Sequence, residues 1–129
     1  MRGFHKNIEQ ETRDNTDYRR VLYTGKNSQL VVMCLEIGQE IGEEVHHVDQ
    51  FFRFESGNGK VIIDGNEYTV SDGDAMIIPA GSRHNVINIS GDAPLKLYSI
   101  YSPPWHIDGI IHRTKADETE EYFSGKTTE

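Results

Sequence analysis

The stretch GDAMIIPAGSRHNVIN, Gly73 to Asn88, holds the residue best placed for chemistry in this chain. Ala75 to Ile78 is a short apolar run that reads as a buried strand. Pro79 and Gly81 stop that run and turn the chain sharply. Side chains alternate along a strand, so His84, Val86 and Asn88 share one face of the segment after the turn. A histidine held in direction by a rigid turn suits a metal ligand. Taken alone, such a residue is more often an ordinary half-buried histidine.

The elements that must hold His84 are short strands. Arg19 to Tyr23 reads as a first strand. Gln29 to Ile37 is a stronger one, apolar on both faces (Val31, Met33, Leu35, Ile37 against Leu30, Val32, Cys34), so both faces need cover. Gln50 to Glu55 alternates, with Gln50, Phe52 and Phe54 on one side. Lys60 to Ile63 and Glu67 to Val70 flank Asp64-Gly65, a strong hairpin signal. Leu95 to Tyr101 is the last strand, and Pro103-Pro104 ends it because proline cannot donate to a ladder. About eight strands with glycine-bearing turns predict a sandwich or barrel. Met1 to Asp17 is polar and reads as an arm that must dock to be ordered. Lys115 to Phe123 predicts one short exposed helix, and Ser124 to Glu129 a disordered tail.

A chain of 129 residues makes one domain with a single core. The formal net charge of −8, without a Lys/Arg cluster, argues against nucleic acid. No apolar run approaches the ~20 residues of a membrane helix, and the N-terminus has no apolar signal core. The single cysteine, Cys34, excludes an internal disulfide and fits a reducing cytoplasm. GKNSQ, from Gly25 to Gln29, lacks the glycine spacing of a phosphate loop. Ser82 has no base at an obvious spacing, so a hydrolase triad has no support.

The spacing of Gly73, Pro79, Gly81, His84 and Asn88 resembles the second conserved motif of the cupin superfamily. The family's first motif has a His-x-His pair, a Glu and a following Gly. Anchored on Gly57, it falls on Glu44, His46 and Gln50, with its carboxylate moved from the last ligand position to the first. The resemblance implies an all-β, double-stranded β-helix (a cupin jelly-roll barrel) over residues 19–112, with an N-terminal arm (1–18) and a short C-terminal helix or tail (113–129). It implies one divalent transition metal (Mn, Fe, Ni, Cu or Zn) on Glu44, His46, Gln50 and His84.

Glu44 and His46 are two apart and point to one side of a strand, with His47 and Asp49 facing away. Two imidazoles and one carboxylate suit such a metal. The bland alternative is a polar loop of Glu43, Glu44, His46 and His47. Phe52, Phe54 and Val86 share faces with the ligands and are expected to line the pocket. YSPPWHIDGIIHRTKA resembles a mannose-6-phosphate-isomerase-like subgroup. There His106 and His112 are expected in surface packing, with Tyr101 and Trp105 as alternative caps of the barrel mouth.

The expected function is a metal-dependent enzyme, isomerase-like or lyase-like, on a small carbonyl or polyol compound. An iron-dependent dioxygenase and a non-catalytic binding or sensing module are the alternatives. No catalytic acid or base stands out beyond the ligands. The two-sided strand and the polar arm together suggest a homodimer.

Overall fold

A computed structural model describes residues 1–129. Its strands are β1 (Arg19–Thr24), β2 (Gln29–Leu35), β3 (Glu44–Val45), β4 (Asp49–Ser56), β5 (Gly59–Ile63), β6 (Asn66–Val70), β7 (Ala75–Ile78), β8 (Arg83–Asn88), β9 (Leu95–Ser102) and β10 (Ile111–His112). They form two antiparallel sheets, ordered β10-β1-β2-β9-β4-β7 and β3-β8-β5-β6. This is the expected jelly-roll sandwich. All eight strands expected from the residue pattern are present, within two residues at each end. The short β10 was not foreseen, since two residues carry no period, and β3, expected to hold both Glu44 and His46, ends at Val45.

The core lies between the sheets. Val31, Met33 and Leu35 of β2, Phe52 and Phe54 of β4, Leu95 and Leu97 of β9, and Val61 and Val86 of the smaller sheet are all buried in one cluster. Alternation along β9 shows how the pattern makes the core: Leu95, Leu97, Ser99 and Tyr101 are buried, and the residues between them are half-exposed.

The outer face of β2 has a cover that the residue pattern left open. The arm contains helix α1 (Ile8–Asp14), started by Asn7, whose side chain accepts from the Gln10 amide. Glu9 and Glu11 in its first turn and Arg13 in its last complement the helix dipole. Thr12 faces inward and is buried. The residues after the helix hold β2 directly, the Cys34 amide donating to Asp17 O at 3.1 Å. Val32 and Cys34 are thereby buried within one chain.

The C-terminal expectations need two corrections. Only Lys115–Asp117 forms a turn of 3-10 helix. The tail is docked rather than free: the Thr128 amide donates to Thr24 O at 2.9 Å, and Thr128 Oγ1 accepts from the Thr24 amide at 2.8 Å. A polar tail can dock in this way because the end of β1 offers it unpaired backbone groups, which residue patterning does not register.

Two glycines of the matched spacing have clear physical reasons. Gly81 has φ +85°, which its turn requires. A Cβ on Gly57 would lie 2.5 Å from Pro94 O, so only glycine lets the two backbones pass. Asn88 is a bracket: its amide donates to Leu35 O, Glu36 O and Ala93 O, tying β8 to the end of β2.

Candidate metal centre

Glu44, on β3, and His84, on β8, are cross-strand partners. The tight turn before β8 fixes His84, whose Nδ1 donates to Ser82 O at 3.1 Å and leaves Nε2 to face the site. The same turn holds the neighbouring strand segment. The Gly81 amide donates to His46 O at 2.7 Å, and the Ala80 amide donates to Asp49 Oδ1 at 2.9 Å. His46 and His84 thus sit with ring centres 5.0 Å apart, edge to face.

Glu44 Oε2 lies 2.6 Å from His46 Nε2, and Gln50 Oε1 lies 3.2 Å from His46 Nδ1. All four expected ligands therefore meet at one end of the barrel. His47 and Asp49 are exposed, as expected, although residues 46–48 lie between β3 and β4. Phe52, Phe54 and Val86, expected to line the pocket, are fully buried in the core.

The electrostatics are those of half-buried and buried groups close together. Burial of Glu44 raises its pKa, but the hydrogen bond and charge of His46, with Arg19 and His84, outweigh it and hold the carboxyl below its usual range. Burial pushes the His84 imidazole down and favours its neutral form. A neutral His84 with a free Nε2, a second imidazole and an ionised carboxylate make a donor set that fits a divalent transition metal. In the present arrangement no three His, Cys, Asp or Glu side chains are placed to hold one ion, and Glu44 and His46 bond each other. A metal would have to replace that bond.

His106 and His112 are the clearest departure from expectation. Both are buried, not on the surface. His106 Nε2 lies 3.2 Å from the Tyr101 hydroxyl, and His112 Nδ1 lies 3.3 Å from Arg19 Nη1. Burial first, and then Arg19, lowers the pKa of each.

The reason is Gln29, which sequence reasoning passed over. Its side chain is buried, accepts from the Trp105 and His106 amides and donates to His106 O. This bracket pulls the segment after Pro104 across the barrel end. Trp105 then stacks on His46 at 4.6 Å between ring centres, and Tyr101 lies 5.9 Å away. The aromatic cap is the arrangement observed. A glutamine opening an apolar strand was the available signal, since a buried amide needs several partners.

A jelly roll of two antiparallel sheets with this pair of motif-bearing turns is the architecture of a cupin barrel. Residues 31–101 match the family model for the cupin domain, and the chain belongs to that family. It is similar to the uncharacterized protein YrkC of Bacillus subtilis, 47% identical over 121 residues, covering 88% of this chain and 64% of YrkC. The chain thus spans slightly less than two thirds of that relative's length. The uncharacterized protein L612 of Acanthamoeba polyphaga mimivirus is 40% identical over 109 residues, covering 81% of this chain and 68% of L612. The crystal structure of BH2720 from Bacillus halodurans has a TM-score of 0.87 at 46% identity, covering 90% of this chain and 92% of that one. Family membership supports a barrel that binds or transforms a small molecule. No helix is long and apolar enough to cross a membrane.

Proposed function

We propose that this cupin is a metal-dependent enzyme on a small carbonyl or polyol compound, with Glu44, His46, Gln50 and His84 holding one divalent transition metal. The observation that carries the reading is the meeting of the four groups at one barrel end, with Glu44 Oε2 against His46 Nε2 at 2.6 Å. Four protein donors leave about two positions open on an octahedral metal, as catalytic sites do. The fold already has its own core, so a purely structural ion has little to explain. When bound, the metal would polarise a carbonyl oxygen and stabilise an enediolate-like charge. The chain's own residues do the rest. Trp105 and Tyr101 shield the site from water, Gln29 holds that cap, and Ser82 fixes the His84 tautomer.

Elemental analysis of protein purified without added metal tests the ligands, beside His84→Ala and His47→Ala. One metal per chain, lost in His84→Ala alone, supports the set. Loss in His47→Ala alone would place the register one residue off. A panel of sugar phosphates, keto acids and diketones on the Mn, Fe, Ni and Zn forms then tests turnover. Oxygen uptake by the iron form alone favours a dioxygenase. Tight binding without turnover favours a binding module, a reading supported by the way Trp105 closes over His46.

The homodimer is kept as a proposal on a different surface. With β2 covered by α1, the apolar groove at the free edges of β6 and β7, where Tyr68 and Ile77 are exposed, is the better candidate. Sedimentation giving only monomer at micromolar concentration would remove it.

A further inference from the structure

Arg19 opens β1 with its side chain turned into the barrel, and only 4% of that side chain is exposed. Its neighbour Arg20 points to solvent and Val21 inward, as alternation requires. A buried guanidinium is strongly unfavourable unless its charge is paired and its donors are satisfied. Here the pairing is incomplete. Nη1 donates to Glu118 Oε2 at 3.2 Å and also contacts His112. Nε is buried without a partner.

Two buried hydroxyls in the barrel interior, those of Tyr18 and Ser99, also have none. The Arg19 Cζ lies 5.2 Å from the centre of the Tyr18 ring. Each of these groups can donate, and a carboxylate is the ligand that only accepts. Arginine's planar fork takes a carboxylate side-on through two parallel hydrogen bonds.

The carboxylate now on Arg19 belongs to the chain itself. Glu118 follows the short 3-10 turn and its side chain is about one-third exposed. It reaches inward from a surface segment to a cation that is fully enclosed.

We infer that Arg19, with the Tyr18 hydroxyl, forms a buried carboxylate-binding subsite in the barrel interior, and that Glu118 occupies it in the free protein in place of a small organic acid. The ligand class is a 2-hydroxy or 2-oxo acid. Its carboxylate takes the place of the Glu118 carboxylate on Arg19 Nη1, and its neighbouring oxygen is directed toward His46 and His84. Only the role of that second oxygen rests on the metal reading above. The carboxylate subsite stands without it.

The test uses metal-free full-length protein, so its result is separate from the ligand-set experiment. Lactate, pyruvate and the neutral analogue lactamide are titrated by calorimetry into wild type, Arg19→Met and Glu118→Gln. The acids should bind wild type, and Glu118→Gln several-fold more tightly because the competing carboxylate is gone. Arg19→Met should lose about tenfold or more, the size of one charge-assisted hydrogen bond. Lactamide should not bind. Replacing a buried ion-pair member by an apolar side chain can leave a chain folded, and Glu118→Gln carries the test if Arg19→Met does not fold. Absence of acid binding in both wild type and Glu118→Gln overturns the inference. So does equal affinity in those two proteins, or equal binding of acid and amide.

Discussion

Acid should loosen this barrel through His106. The imidazole is buried, its Nε2 against the Tyr101 hydroxyl, with Arg19, His46 and His112 as the charged or titratable groups that act on it. Burial, and then Arg19, hold its pKa well below the ordinary histidine value. The unfolded chain therefore takes up a proton near pH 6.5 that the native chain refuses. Stability is complete above that pH and falls as the pH drops below it. One such proton costs about 1 kcal/mol between pH 6.5 and 5.5, and at most about 1.4 kcal/mol for each further unit while His106 stays neutral. A loss of ~1 kcal/mol lowers Tm by roughly 3–5 °C for a domain of this size. His84 and His112 are lowered in the same direction and add to the wild-type slope.

The perturbation that isolates His106 is His106→Phe. It keeps a ring against Tyr101, where the two rings now meet edge to face at 5.1 Å, and it has no proton to gain. Urea denaturation of metal-free wild type and variant at three or more pH values from 7.5 to 5.5 gives both curves. The variant should lose less stability on acidification, by up to one proton's worth of slope. Parallel curves would refute the reasoning, because a buried neutral imidazole cannot be silent in the linkage.

Other predictions follow from the same geometry. Glu44→Ala should reduce metal content far more than Asp49→Ala; Asp49 accepts from the Ala80 amide, so its loss should instead lower Tm. Equal metal losses by elemental analysis would contradict the placement of Glu44. Gln50→Glu adds a carboxylate beside His46 and should tighten the metal in competition with a chelator, while lowering any turnover that needs a strongly Lewis-acidic centre. Trp105→Ala removes the ring stacked on His46 and Tyr122. It should cost about 2 kcal/mol, less than a fully buried Trp, and speed metal extraction by a chelator; unchanged extraction would mean that Trp105 does not guard the site.

The strands and the sides to which their residues face were legible because both rest on short-range rules, whereas the proposed ligand set came from a resemblance of motif spacing. Alternation placed Gln50, Phe52 and Phe54 inward, and His47 and Asp49 outward. Pro79 and Gly81 marked the turn that aims His84. The helix in the arm carried a legible cap at Asn7, but seven residues with one apolar side chain give no helical stripe to read. The burial of His106 and His112 was not legible, since neither lies on a patterned strand and their partners are distant in sequence. Gln29 is 77 residues from His106, and Arg19 is 93 from His112.

From the residues alone followed the sheet architecture, the turn that fixes His84, and the side of each strand that faces inward. These depend on local stereochemistry and on a period of two. Tertiary structure alone decided that Glu44 and His46 bond each other, that Trp105 covers them, and that Arg19 lies buried with an unpaired Nε. Each of these is a contact between side chains on different strands or loops. Its distance is set by how two twisted sheets pack and by where the C-terminal segment returns. No local rule contains that information, and so the fold could be read before the chemistry of its interior.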